Sequence, residues 1–228
     1  METEVESCCA LDHRAESDRG FPFDSVEQAI AAMARGQFVV VVDDESRENE
    51  GDLIIAAEAV TPEALGFMLR HTSGLICVAL PAATCDRLEL PLMVKANEES
   101  HQTAFTVSVD KRSGIRTGIS ASDRAATLRQ LAQPQSGASD FVRPGHIFPL
   151  RARPGGVLER PGHTEAALDL ARLAGLPGGG VLCEVVDRNG EMARRPELLR
   201  FAHAHGLVIV TIEQLVAYRR QNEGSAVK

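Results

Sequence analysis

Short runs of apolar residues alternate along this chain with segments in which apolar residues recur at helical spacing. This pattern predicts strands separated by helices. Apolar or β-branched runs, typical of buried strands, occur at 38–42, 53–57, 75–80, 104–109, 181–186 and 208–210. Helical spacing between capping signals occurs at about 26–35, 61–70, 120–131, 164–173, 196–205 and from 211 onward. We therefore expect a sheet that carries helical layers.

One folded domain is expected over residues 21–220, because no repeat interrupts the pattern and the loop at 134–139 is only a weak candidate for a boundary. Residues 1–20 carry six carboxylates against two arginines, a net charge of −4, which predicts a disordered acidic tail. This segment lacks the basic start and apolar run of a secretory signal. Residues 221–228 are expected to form a C-terminal tail.

Composition and charge narrow the functional classes. The 228 residues are 44% hydrophobic and carry a net charge of −8, which argues against a nucleic-acid binder because such a protein needs a basic face. The apolar runs are too short to span a membrane, so neither nucleic acid nor membrane is an expected partner. The five cysteines form no CxxC pair, which predicts reduced thiols and a cytoplasmic location.

The strongest concentration of charge is the segment 43–52, DDESRENEGD, called here the acidic loop. Six carboxylates against Arg47 give it a net charge of −5, which is unfavourable unless solvent or a cation relieves it. Its many oxygens and few nitrogens suit a hard cation such as Mg²⁺ or Mn²⁺. The other interpretation, a solvated acidic turn, stays open on charge alone.

A complementary cluster lies at 141–164, called here the basic stretch, where four arginines stand against one glutamate. Its glycines and prolines predict a loop that runs into the start of a helix. There Arg160 can fork onto a phosphate while Thr164 and the first helical amides donate to it. Pairing of the arginines with surface carboxylates is the alternative. The two clusters together predict a metal-assisted enzyme that acts on a small sugar phosphate.

Eight segments, in order, resemble the 3,4-dihydroxy-2-butanone 4-phosphate synthase family of riboflavin biosynthesis. They include DDESRENEGDLIIAAE (43–58), TGISASDRAATLR (117–129), RPGHIFPLRA (143–152) and GHTEAALDLARLAG (162–175). The resemblance covers about residues 21–220 and implies an α+β fold of three layers, in which a mixed sheet lies between helices. No cysteine cluster of a fused second domain follows, so the resemblance implies the single-domain form.

The activity that this resemblance implies is that of a lyase. Members of the family convert D-ribulose 5-phosphate to L-3,4-dihydroxy-2-butanone 4-phosphate and formate, with Mg²⁺ or Mn²⁺ as the cofactor. They are homodimers with sites near the interface, and the same assembly is expected here.

The resemblance also assigns roles by position. Glu48 and His163 match the metal ligands, and His146 and Glu184 match positions essential to catalysis. We expect Asp52 or Glu184 to act as the base and His146 as an acid/base shuttle. Substrate contacts match nine residues: Arg47, Glu48, Asp52, Arg160, Pro161, Gly162, His163, Thr164 and Glu184.

Several points stay open at the level of sequence. Cys77 matches a site-lining cysteine, but a buried inert thiol is an equal alternative. Pro161 stands where many relatives have glycine, which stiffens the expected phosphate loop and removes one amide donor. The alternative functions are another metal-dependent sugar-phosphate isomerase or lyase, an inactive sugar-phosphate-binding relative, and a purely structural role for the acidic loop.

Overall fold

The computed structural model describes residues 22–223. The expected acidic tail lies outside these residues. The last described helix, Ile212–Glu223, extends past residue 220 into the segment that was expected to be a tail. None of the described helices combines the length and the apolar character needed to cross a membrane.

The described strands form one mixed sheet of seven strands. They are β1 (Val39–Val42), β2 (Gly51–Ala56), β3 (Cys77–Leu80), β4 (Val109–Lys111), β5 (Phe141–Arg151), β6 (Gly180–Glu184) and β7 (Val208–Thr211). Their order across the sheet is β4-β5-β3-β6-β2-β1-β7. The pairs β1–β7 and β3–β5 are parallel, and the others are antiparallel. Strands from both sides of the 134–139 loop therefore share one sheet.

Seven described helices pack against the sheet: α1 (Val26–Ala34), α2 (Pro62–His71), α3 (Ala82–Arg87), α4 (Ala121–Ala132), α5 (His163–Leu173), α6 (Arg195–His205) and α7 (Ile212–Glu223). Their ends follow sequence signals. Ser25, Thr61 and Ser120 each accept, through the side chain, the backbone N–H three residues later. Gly206 ends α6 in the left-handed conformation, with φ of +62°.

Strand β1 shows why its valines are apolar at every position. Val39 and Val41 pack into one core with α1, α5 and α7, whereas Val40 and Val42 pack into the other core with α2, α4 and α6. A strand covered on both faces has no polar side, so the period-two alternation disappears. The two cores confirm the expected α+β architecture of three layers with a mixed sheet between helices.

Two predictions of local structure are wrong. The first half of the basic stretch is not a loop but the long strand β5, since glycine and proline that usually interrupt strands are accommodated there. The strand predicted at 104–109 is reduced to isolated bridges at Phe105 and Thr106, and β4 begins only at Val109. The two bridges have different partners: Thr106 pairs with Leu92, through the N–H of Val107 that donates to the Pro91 carbonyl, and Phe105 pairs with Leu150 of β5, so no continuous ladder forms. The short helix α3 was not predicted.

Candidate active site

A cavity of about 200 Å³ lies where the acidic loop meets the first residues of α5. Asp52 of β2 and Glu184 of β6 are directly paired residues on neighbouring antiparallel strands, so their side chains share one face of the sheet. His163 and Thr164 begin the helix that covers this face. The sheet register and the helix start together fix these four residues around the cavity, called here the central cavity.

The acidic loop is held in shape by Asp43, which is only 2% exposed. Its Oδ1 accepts the N–H of Glu50 at 2.9 Å, and its Oδ2 accepts the N–H of Glu48 at 3.0 Å. The same Oδ2 accepts from the guanidinium of Arg47 at 3.0 Å. Asn49 has φ of +54°, a conformation that asparagine tolerates better than most residues. Asp43 thus folds the loop so that Arg47 and Glu48 line the central cavity.

Glu48 and His163 are distant in the sequence but meet in the structure. Oε2 of Glu48 lies 3.4 Å from Nδ1 of His163, and Oδ1 of Asp52 lies 3.9 Å from the same nitrogen. Ligand atoms of Asp43, Glu48 and His163 all lie within 4.8 Å of one another. The fold therefore brings the two expected ligands together and adds Asp43, which the sequence analysis had not singled out.

Burial and charge shift the pKa values of these groups. Burial raises the pKa of Asp52 to about 7, opposed by the charge of His163 and supported by that of Glu184. Burial lowers the pKa of His163, but the neighbouring carboxylates, Asp52 first, outweigh it and raise the pKa to about 9. Burial raises the pKa of Glu48, but hydrogen bonding to His163 and the charge of Arg47 lower it to about 2. Such perturbed groups cluster at functional sites.

The described residues fit a hard divalent cation. Oδ1 of Asp52 and Nε2 of His163 are buried and have no hydrogen-bond partner among the described residues, although buried polar atoms are normally paired. Carboxylate oxygens with a single imidazole are a donor set that Mg²⁺ and Mn²⁺ accept, whereas thiolates favour zinc. The guanidinium of Arg47 contacts Asp43 and Glu48 and neutralises part of the negative charge.

Glu184 is held by Ser73, which lies in the segment between α2 and β3. The hydroxyl of Ser73 donates to Oε2 of Glu184 at 2.6 Å, and the N–H of Ser73 donates to the Glu184 carbonyl at 2.8 Å. The N–H of Leu75 donates to the Ser73 hydroxyl at 3.3 Å, which directs the hydroxyl proton toward Glu184. Cys77 lines the same cavity, and burial raises the pKa of its thiol well above the usual range, so it is a neutral, inert group there.

Arg160 is the member of the basic stretch that lines the central cavity. Its Nη1 donates to Oε2 of Glu165 at 2.6 Å, and Glu165 is only 1% exposed. Its other nitrogens donate to the His101 carbonyl at 3.0 and 3.2 Å and to the Thr103 hydroxyl at 3.0 Å. A guanidinium held at four points is a rigid positive group, as recognition of a phosphate requires.

The first turn of α5 offers backbone donors beside Arg160. Gly162 is the N-cap and has no side chain to accept from the first helical amides, which leaves them for an anion. A Cβ on Gly162 would lie 2.4 Å from Nη1 of Arg160, so a larger residue here would displace the guanidinium from its contacts. Pro161 is exposed and lines a separate cavity beside the acidic loop. Of residues 160–164, Arg160, His163 and Thr164 thus line the central cavity.

His146 is an expected site residue that does not line the central cavity of its own chain. It lies on β5, separated by β3 from the β6 strand that carries Glu184. Its side chain is 41% exposed, and its Nδ1 lies 2.6 Å from Oδ2 of Asp110. The chain therefore presents this imidazole to solvent.

Other cavity residues were missed by the sequence analysis. Glu99, Thr103 and Phe105 line the central cavity from the segment between α3 and β4. The carboxylate of Glu99 accepts the N–H groups of His101 and Thr103, each at 2.7 Å, and so shapes this wall. No motif signals that segment. One further partner did leave a signal in the sequence: Glu165, five residues after Arg160, is a carboxylate close enough in the chain to be expected as its counterion.

Comparison with known proteins agrees with this arrangement. The family model for 3,4-dihydroxy-2-butanone 4-phosphate synthase matches residues 27–218. The riboflavin biosynthesis protein RibBA of Rhodococcus jostii is 61% identical over 203 residues, and that of Mycobacterium bovis is 59% identical over 202 residues. Each alignment covers 88% of this chain but only 49% and 48% of the relative. The chain thus spans about half the length of these relatives.

Solved structures extend the comparison to the fold. A crystal structure of 3,4-dihydroxy-2-butanone 4-phosphate synthase in complex with two magnesium ions is 48% identical with a TM-score of 0.85, covering 89% of this chain and 99% of that chain. The two-domain synthase RibBX from A. baumannii is 48% identical with a TM-score of 0.84, covering 87% of this chain and 59% of that chain. This chain therefore belongs to the 3,4-dihydroxy-2-butanone 4-phosphate synthase family.

Proposed function

We propose that the chain is a carbon–carbon lyase that converts D-ribulose 5-phosphate to L-3,4-dihydroxy-2-butanone 4-phosphate and formate, a step of riboflavin biosynthesis. One observation carries this proposal: Glu48, His163, Asp52 and Glu184 converge in a single cavity that also contains Arg160. The substrate needs a cation and proton-transfer groups at its carbonyl end and a cationic pocket for its phosphate. The central cavity supplies both kinds of group.

Glu48 and His163 would hold a Mg²⁺ or Mn²⁺ ion, with Asp43 and Asp52 beside them. When bound, the ion would stabilise negative charge that develops on a carbonyl or hydroxyl oxygen of the substrate. Both ions prefer oxygen ligands and accept open positions filled by substrate and water, which is why either is proposed. The two magnesium ions in the related synthase structure support a divalent cation here.

Asp52 and Glu184 would move protons. Asp52 has a buried Oδ1 with no described hydrogen-bond partner, so this oxygen is able to accept a proton from the substrate. Ser73 holds Glu184 in one orientation on the neighbouring strand. Deprotonation beside the carbonyl, loss of a hydroxyl and release of formate each move a proton, which explains why several such groups are needed. The two products together contain all the atoms of the substrate, so no oxidant or organic cofactor is required.

Arg160 and the first turn of α5 would bind the phosphate. Thr164, a residue that is 5% exposed, adds a hydroxyl next to amides that have no capping side chain. The contacts of Arg160 with Glu165 and Thr103 hold the guanidinium in place before the substrate arrives. Arg47, which also lines the central cavity, would contact the substrate from the acidic loop.

We propose in addition that the protein is a cytoplasmic homodimer, in which a second copy supplies His146 to the central cavity. Two observations support the dimer: His146 does not line the cavity of its own chain, and Leu92, Met93 and Val94 form an apolar patch in which each is at least 45% exposed. Sedimentation velocity should give twice the mass of the chain. A monomer would contradict this proposal.

Mixing two inactive variants tests whether the two chains of the dimer share each active site. His146→Ala chains and Glu184→Gln chains are each expected to be inactive. When the two are unfolded, mixed and refolded together, half of the dimers contain one chain of each kind, and each of these has one intact site. The mixture should regain about a quarter of wild-type activity. No recovery would mean that His146 acts on its own chain.

The decisive assay for the reaction measures formate and the four-carbon product after incubation of the purified protein with ribulose 5-phosphate and Mg²⁺. We expect both products, their loss with EDTA, and their return with added Mg²⁺. Glu184→Gln should abolish turnover while substrate binding stays nearly unchanged. An isomerase would give a five-carbon sugar phosphate without formate, and an inactive relative would bind the substrate without converting it.

A further inference from the structure

His146 is the exposed member of a pair whose other member is almost completely buried. Asp110, on β4, is 5% exposed, and both of its oxygens contact His146. Its Oδ1 accepts the backbone N–H of His146 at 2.9 Å, and its Oδ2 lies 2.6 Å from Nδ1 of the ring. The carboxylate therefore fixes the backbone and the imidazole of the same residue.

The irregular pairing of β4 with β5 creates this arrangement. Val109 pairs with Ile147, whereas Asp110 pairs with Val142, so residues 143–146 are extra on the β5 side. Such an insertion leaves backbone groups without ladder partners and redirects side chains. Here the side chain of Asp110 accepts the N–H of His146, at 2.9 Å.

Two glycines close tightly around the pair. A Cβ on Gly118, which has φ of +88°, would lie 2.0 Å from Oδ2 of Asp110 and 2.8 Å from Nδ1 of His146. A Cβ on Gly145 would lie 2.0 Å from the carbonyl carbon of Val109. A side chain at position 118 would therefore displace the Asp110–His146 pair, and one at position 145 would push β5 away from β4.

We infer that Asp110 is the positioning residue for His146 and fixes the tautomer in which Nδ1 carries the proton and Nε2 is the free base. A carboxylate only accepts hydrogen bonds, so the proton between Oδ2 and Nδ1 belongs to the ring. The exposed edge of His146 then presents Nε2 for proton transfer. This inference rests on the proposed function for the importance of His146, but the tautomer itself does not.

The substitution Asp110→Asn tests this inference, because it keeps the size of the side chain but replaces one accepting oxygen with a donating NH₂ group. Its Oδ1 can still accept the N–H of His146, which turns the amide NH₂ group toward Nδ1. Nδ1 must then accept, the proton moves to Nε2, and the ring loses its exposed base. We expect kcat to fall by at least about 100-fold, while KM for ribulose 5-phosphate changes by less than about threefold, because Asp110 does not line the central cavity.

Asp140→Asn is the matched control. Asp140 also accepts a backbone N–H, that of Gly137, at 2.9 Å, and it lies just before β5. Its substitution exchanges the same carboxylate for the same amide at a residue with no role in the site. We expect wild-type kcat and KM from this variant.

The tautomer has a direct readout that needs no activity. Selective ¹⁵N labelling of the seven histidines, with His146→Gln to assign the resonance, reports which ring nitrogen of the neutral form carries the proton. We expect the Nδ1–H form in the wild type and in Asp140→Asn, and the Nε2–H form in Asp110→Asn.

The outcomes are distinguishable. An Nε2–H tautomer in the wild type overturns the inference even if Asp110→Asn does not fold, and so does wild-type kcat in a folded Asp110→Asn. Absence of formate from the wild type would instead overturn the proposed function, and the tautomer in the labelled protein would still decide the role of Asp110.

Discussion

The acidic loop and the basic stretch show similar concentrations of charge in the sequence, but the fold treats them differently. The acidic loop stays together: Arg47, Glu48, Glu50 and Asp52 all line the central cavity. The basic stretch is divided. Arg151 makes two hydrogen bonds to Asp86 on the outside, and only the end of the stretch reaches the cavity.

Two further arginines of the basic stretch, Arg143 and Arg160, have partners that need no ligand. Arg143 donates to the carbonyls of Ala138 and Leu88, and even Arg160 already has Glu165 as a counterion. In the acidic loop, Arg47 contacts Asp43 and Glu48. The arginines at 194 and 195 reach only the outer carboxylates, Glu50 at 4.0 Å and Glu45 at 3.4 Å. Oδ1 of Asp52 and Nε2 of His163 are buried in the cavity and have no hydrogen-bond partner among the described residues. In the acidic loop, the buried oxygen and nitrogen without partners therefore indicate a cation, whereas Arg160 is indicated as a phosphate ligand by its position in the cavity and not by unbalanced charge.

The largest effect is expected from removing the charge of Glu48. Glu48→Gln keeps the size of the side chain but deletes a ligand that the proposed cation needs, so turnover should fall by at least about 1,000-fold. Mg²⁺ binding, measured by calorimetry, should be lost in parallel. Glu45→Gln is the control in the same loop, because Glu45 is exposed and its carboxylate lies 3.4 Å from Arg195, away from the cavity lining. Equal losses in both variants would mean that net charge, and not geometry, is what matters.

An intermediate effect is expected within the basic stretch. Arg160→Lys cannot keep the fork of contacts to Glu165, His101 and Thr103, so KM for ribulose 5-phosphate should rise about 10- to 100-fold. Arg151→Lys alters an exposed pair with Asp86 and should leave KM within about twofold. Steady-state kinetics of the two variants checks this difference. A similar rise in KM for both variants would contradict the conclusion that Arg160, and not Arg151, lies in the substrate site.

The smallest effect is expected at Glu99, and it depends on pH. Burial raises the pKa of Glu99, but the N–H groups of His101 and Thr103 outweigh it and lower the pKa to about 2. Its stabilising contribution is therefore complete above the unfolded pKa of about 4.5 and is lost as the pH falls toward 2. Glu99→Gln should reduce the free energy of unfolding by about 1 kcal/mol at neutral pH.

Denaturant titrations at several pH values check this prediction. The difference between wild type and Glu99→Gln should shrink as the pH falls from neutral toward 2, because the wild-type side chain then also becomes neutral. Glu98→Gln, at the exposed neighbouring position, is the control and should show no such trend. A difference that is constant with pH would mean that the Glu99 carboxylate does not hold the cavity wall through its charge.

The sequence predicted most of the elements and the layered fold, because buried strands such as 38–42 and capped helices such as 61–70 leave local signals. It also predicted that Glu48 and His163 belong together, through the resemblance to a family. It did not predict β5, since prolines and glycines there are typical of a loop. Nor did it indicate Asp43, Ser73 or Asp110, whose roles depend on contacts between distant segments.

The most direct test of the central claim is a crystal structure of the protein soaked in Mn²⁺, with an anomalous difference map recorded near the manganese absorption edge. We predict a peak between Glu48 and His163, within about 2.0–2.4 Å of an atom of each. A fully occupied Mn²⁺ elsewhere with no peak at this position would contradict the account.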